Sequence, residues 1–191
     1  MAECKELLSR LKGDDNEALR QAAFQAGEEH CHEAVPLLAA LLTSDNLGVQ
    51  EAADRALRAI GGKDTVHAVL PLLASDEAPA RNLSMDILRQ VGVEDVSSIL
   101  DLLHSDDADM RIFAADILGS TKNSMAVQPL CDALLKDPEV NVRYQAAVSL
   151  GDLGMREAAE CLNKAIDDEE WVQYSVIEAL AKLGDSSSVD A

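Results

Sequence analysis

The 191-residue sequence predicts an all-α fold, an α-solenoid (right-handed superhelix) of about six two-helix repeats. Three observations predict it. The composition is 48% hydrophobic but only 3% aromatic, with the apolar content carried by Ala and Leu. Such a chain suits close-packed helices better than a β-sandwich, which draws on Val, Ile, Thr and aromatics. Second, an apolar residue followed by Arg or Gln recurs as Leu19-Arg20, Val49-Gln50, Ala80-Arg81, Met110-Arg111, Val142-Arg143 and Val172-Gln173, with spacings of 30, 31, 30, 32 and 30 residues. Third, other columns keep fixed offsets from that anchor. Asp15, Asp45, Asp76, Asp106 and Asp168 stand five before it, and Asp137 stands six before. Leu57, Leu88, Leu118, Leu150 and Leu180 stand seven after it, with Gly27 as the exception. Gly61, Gly92, Gly154 and Gly184 stand eleven after.

Each element of the repeat follows from these columns. The first helix reads AVPLLAALL at 34–42, AVLPLLA at 68–74 and AVQPLCDALL at 126–135. The second follows an Asp-rich turn, as in DPEVNVRYQAAVSLGDLG at 137–154. The turn Asp is expected to cap the second helix, where its charge suits the positive end of the dipole. The Gly is expected to supply a left-handed stop. Within the second helix, positions −1, +3, +7 and +10 from the anchor are apolar, as Val142, Ala146, Leu150 and Leu153 show. At about 100° per residue they form one stripe. A two-helix unit cannot bury that stripe alone, whereas stacked neighbours bury it for each other.

These motifs resemble HEAT repeats, specifically the short bacterial type called phycobilisome-lyase HEAT-like repeats. DPEVNVRYQAAVSLGDLG is the closest match, and the resemblance covers nearly all of the chain. It implies a polar ladder between turn Asp and helix Arg of successive repeats, here Asp15, Arg20, Asp76, Arg81, Asp106, Arg111, Asp137 and Arg143. Gln50 and Gln173 depart from the Arg. The resemblance specifies fold better than function.

Charge and cysteines bound the function. A net charge of −19, from 35 acidic and 16 basic residues, repels a phosphate backbone and argues against nucleic acid as a partner. With no run of 18 apolar residues, no segment is expected to span a membrane. The N-terminal MAECKELLSRLKGDD lacks the apolar core of a signal peptide. Cys4, Cys31, Cys131 and Cys161 form no CxxC, so reduced thiols and a cytoplasmic location are expected.

The stretch EEHCHEAVP at 28–36 gathers His30, Cys31, His32 and Glu33. All four side chains can ligate a transition metal, yet consecutive helical residues fan out by about 100°. No second His/Cys cluster completes the set, so no metal, cofactor or catalytic residue is expected. One metalloenzyme family of similar repeats, deoxyhypusine hydroxylase, binds iron through His-Glu pairs on its repeat helices. At the corresponding places this chain has Leu19-Arg20, Val49-Gln50 and Val142-Arg143.

Positions +1, +2, +5 and +9 of each second helix point away from the apolar stripe, and in solenoids of this type they line the concave groove. Phe113, Tyr144 and Tyr174 fall there, with Trp171 nearby, whereas Phe24 falls beside the core stripe. Leu83, Ile112 and Val148 join the aromatics, and Asp86, Asp116 and Glu178 flank them. The function expected is that of a non-enzymatic scaffold or adaptor whose groove binds a protein or peptide with basic and apolar groups. A phycobilin lyase-type accessory protein is the alternative, and a metal-dependent hydroxylase a weaker one. The whole chain, 1–191, is expected to be one repeat domain. Its last residues, DSSSVDA, resemble the start of another first helix, as in GKDTVHAVLPLL, so a truncated repeat and a longer parent protein are expected.

Overall fold

The computed structural model describes residues 2–185, and every regular element among them is helical. Twelve α-helices alternate as the first and second members of six repeats. They are α1 (Ala2–Arg10), α2 (Asn16–Glu28), α3 (Val35–Leu41), α4 (Leu47–Ile60), α5 (Gly62–Val69) and α6 (Ala78–Val91), then α7 (Val96–Leu102), α8 (Ala108–Ser120), α9 (Val127–Lys136), α10 (Val140–Leu153), α11 (Ala159–Lys164) and α12 (Glu170–Asp185). Of the terminal DSSSVDA, residues 186–191 lie outside the described residues. No helix among the described residues is long and apolar enough to cross a membrane.

The chain forms two compact units. In the first, ending at Asp95, the second helices stack in the order α2, α4, α6, while α3 packs on α4 and α5 on α6. The apolar stripe is the core: Val49, Ala53 and Leu57 of α4 are fully buried, as are Ala80 and Leu88 of α6. Arg58 fastens α4 to α6, donating from Nη1 to the Asp86 carbonyl at 2.8 Å and to Gln90 Oε1 at 3.2 Å.

The second unit begins at Val96 and stacks α8, α10 and α12 in the same way. Val142, Ala146 and Leu150 are fully buried and Leu153 nearly so. A buried Leu contributes about 1.5–3 kcal/mol relative to an exposed one. Small residues set the helix spacing. A Cβ at Gly119 would sit 2.9 Å from Ser149 Cα on α10, and one at Gly151 would sit 2.9 Å from Ala179 Cα on α12. Gly27 is explained in the same way. A Cβ there would lie 2.9 Å from Ala56 Cα, so the first repeat gives up its Leu for a close α2–α4 approach.

Some local expectations are corrected. The column Asp caps its helix only in the first repeat, where Asp15 accepts from Ala18 N–H at 2.7 Å. Asn46 caps α4 and Asp107 caps α8, each one residue later than the column Asp. The stop glycines also divide. Gly154 is left-handed at φ 70°, whereas Gly92 keeps helical angles and starts a 3-10 turn, and Gly184 stays within α12. In the third repeat the α-helix starts at Gly62 and gives way at Leu70 to a 3-10 stretch, because Pro71 has no N–H for the next helical bond.

Candidate functional site

The ligand-rich stretch is a turn. His30 adopts φ 48°, Cys31 leads into a 3-10 turn over His32–Ala34, and Pro36 opens α3. The expectation of four reduced thiols is overturned. Cys31 is bonded to Cys4 of α1, and Cys131 of α9 to Cys161 of α11. Cys131 and Cys161 occupy equivalent places in consecutive first helices, which pack side by side and bring the two sulfurs together.

The ladder residues fall into two groups. Arg111 reaches forward, not to its own turn Asp, but to the Asp of the next repeat: Nε to Asp137 Oδ2 at 2.7 Å and Nη2 to Asp137 Oδ1 at 2.9 Å. Its Nη1 holds the Ser105 carbonyl of its own turn at 2.9 Å. Arg143 repeats the pattern one step on, bonding both oxygens of Asp168 at 2.9 Å and the Asp137 carbonyl at 3.1 Å. Asp168, absent from the expected ladder, is therefore its last acceptor. Gln173 keeps the own-turn half of the role, donating to the Ile166 carbonyl at 2.8 Å.

These pairs are well screened from water, and their titration follows. The Arg143 hydrogen bond holds Asp168 below the usual carboxylate range against the opposing effect of burial. For Asp137, burial pushes upward, but the Arg111 hydrogen bond, the Glu139 N–H and the charges of Arg111 and Arg143 together hold it low.

In the first unit Arg81 keeps the own-turn half of this role, and Arg20 and Asp15 do other work. Arg20 pairs with exposed Glu17 at 3.0 Å, Asp15 caps α2, and Arg81 holds the Ser75 carbonyl at 2.5 Å. Asp76, and Asp106 in the second unit, are exposed.

The surface residues separate by position. Trp171 is 75% exposed, Tyr174 69% and Tyr144 38%. Ile112, Tyr144 and Tyr174 hold position +1 of three stacked second helices, and Asp116, Val148 and Glu178 hold +5. Such rows run across the stack at about 8–10 Å per helix. Phe113, expected on the open side, is half-buried, because +2 tips toward the neighbouring helix. Leu83 is half-buried and Asp86 exposed, both on α6 of the first unit.

Phe24 is the clearest departure. It sits at +4, where Ala115 and Ala147 are fully buried, and it is 60% exposed. Met85 holds the same position on α6 and is buried, so residue size alone does not set the exposure of Phe24. It lines a cleft of about 380 Å³ between α2 and α4, with Arg20, Gln21, Glu51 and Arg55 around it. Ile177, also at +4, is likewise exposed and extends the Trp171–Tyr174 surface. Lys182 was also missed: it bonds Asp152 at 2.9 Å and Glu178 at 3.4 Å, so it offsets part of the negative charge beside Tyr174.

A model of the family described as HEAT repeats matches residues 4–88 and 96–181. The chain belongs to the HEAT-repeat family. Solved HEAT-like structures share the fold. The complex of CpcE and CpcF of phycocyanin lyase from Nostoc sp. PCC7120 is 22% identical, with 78% of this chain and 98% of that chain covered, at a TM-score of 0.57. Human deoxyhypusine hydroxylase is 20% identical, with 95% and 84% covered, at a TM-score of 0.53. No curated protein sequence matches this HEAT-repeat chain.

Proposed function

We propose that the protein is a non-enzymatic scaffold or adaptor that docks a peptide or protein segment on the second-helix face of its second unit. The observation that carries this is the exposed row Tyr144, Trp171, Tyr174 and Ile177. Large aromatics left in water are what interface anchors look like. Ile112, Phe113 and Val148 would form the floor, and Asp116 and Glu178 the acidic rim. A segment carrying apolar side chains and Lys or Arg fits that chemistry, with the −19 charge steering it in and disfavouring nucleic acid. Leu83 and Asp86 hold positions +2 and +5 of α6 in the first unit.

Trp171 is the sole tryptophan, so its emission reports on this face directly. Titration with peptides alternating Leu or Phe with Lys or Arg is expected to shift that emission to the blue. Combined Phe113→Ala and Tyr144→Ala substitution is expected to weaken the binding at least tenfold while helical circular dichroism stays intact. Unchanged binding by that variant would refute the groove.

A role in chromophore attachment is a fold-level analogy, tested by an absorbance shift on adding bilin and phycobiliprotein. A metal-hydroxylase reading would need ligands where Arg111 and Arg143 stand, and both are committed to Asp137 and Asp168; metal analysis of the purified protein tests it. The repeat register runs unbroken in sequence from 1 to 191, and we treat it as one repeat domain. A cytoplasmic location fits the thiol form of the cysteines, whereas the paired form fits an oxidising compartment.

A further inference from the structure

Each of the four cysteines has a partner: Cys4 of α1 is joined to Cys31 in the turn before α3, and Cys131 of α9 to Cys161 of α11. Cys4 and Cys31 have Cα atoms 5.9 Å apart, and Cys131 and Cys161 5.6 Å apart. Both lie within the separation of about 4.4–6.8 Å that a disulfide spans. Both cross-links join elements that precede the second helices of their repeats.

The surroundings of the two pairs differ. Cys131 and Cys161 are both buried, with Cys161 Sγ 3.2 Å from the Ala158 carbonyl. Cys31 is buried, but Cys4 is only half-buried. Glu33 Oε2 stands 3.4 Å from Cys4 Sγ and 3.9 Å from Cys31 Sγ. A disulfide opens when a thiolate reaches one sulfur along the S–S line, so access decides which pair opens.

We propose that the two pairs are redox-modification sites of unequal lability. Cys131–Cys161 is a shielded, lasting cross-link, and Cys4–Cys31 is a switchable one. Closure uses a small-molecule disulfide of the glutathione class. One cysteine thiolate attacks that disulfide and releases one thiolate. The second cysteine thiolate then attacks the mixed disulfide and releases the other. The pair loses two electrons to the small disulfide, and its two protons pass through the medium to the two released thiolates, which become thiols. Opening is the reverse, with the incoming thiolate attacking Cys4 at its exposed side. The Glu33 carboxylate repels that anion and slows the attack.

The test is thiol trapping on the full chain. Untreated protein, unfolded in concentrated guanidinium with N-ethylmaleimide, is expected to take no label. Folded protein treated with reduced glutathione is expected to take two labels, mapped to Cys4 and Cys31, with Cys131 and Cys161 opening only on unfolding. Glu33→Gln is expected to open Cys4–Cys31 several-fold faster in glutathione without changing the fate of the buried pair. Equal opening rates for the two pairs would overturn the proposal. So would four free thiols that oxidised glutathione fails to close, or a thiol-bound zinc ion retained at Cys4, Cys31 and Glu33.

Discussion

Arg111 and Arg143 each serve two neighbours at once. One face of the guanidinium grips a carboxylate of the next repeat and the remaining nitrogen holds a carbonyl of its own turn. That double duty needs a planar fork, which Lys lacks. Arg111→Ala strands the Asp137 carboxylate in a screened site and is expected to cost about 3 kcal/mol. Arg111→Lys should recover less than half of it, read from urea midpoints at neutral pH. The two acceptors also predict a pH dependence. Asp137 and Asp168 are held below their ordinary range in the folded state, so their contribution is present above about pH 4 and lost as pH falls through the folded values. Asp137→Asn with Asp168→Asn should lower stability at neutral pH yet flatten its decline between about pH 5 and 2. A decline as steep as the parent's would place the acid sensitivity elsewhere.

At the scale of the element, the second helices are legible because their stripe recurs in most repeats. Val142, Ala146 and Leu150 are buried where the period puts them. What the period does not carry is the contact between helices. Gly119 and Gly151 read as neutral entries in a helix, yet each marks a backbone approach that a methyl group would block. Phe24 reads as near-core by angle, yet it is 60% exposed. Of the expected ladder, Arg111, Arg143 and Asp137 form Asp–Arg rungs, and their direction was not legible, because the repeat register shows which Asp shares a repeat with an Arg, not which one the side chain reaches. The cysteine pairs were hidden for a similar reason: 27 and 30 residues separate the partners, and only the packing of α1 on the turn before α3 and of α9 beside α11 brings them together. Gly151→Ala is expected to push α10 from α12 and to cost about 1–3 kcal/mol in thermal unfolding. A substitution that proved neutral would show that the Lys182 chain and the Ala179 turn yield instead.

For the whole molecule, the question is how far a disturbance travels. Repeat arrays are held by nearest-neighbour contacts, so each helix is supported by the one before and after it. Leu150 is fully buried in the middle of the α8–α10–α12 stack of the second unit, and Leu57 holds the matching place on α4 of the first. Replacing Leu150 by Ala removes a large part of its burial and leaves a cavity, at a cost of about 2–5 kcal/mol. If the loss stays local, amides of α8, α10 and α12 exchange faster while those of α2 and α4 keep their protection. Leu57→Ala should then give the mirror result. If all twelve helices behave as one cooperative block, either substitution lowers protection everywhere by the same amount, because every protected amide then exchanges through the same global opening. The compact units 1–95 and 96–191 predict the local outcome. Native-state hydrogen exchange of the two variants decides between them, and a uniform loss in both would mean that the coupling between successive repeats outweighs the division into two units.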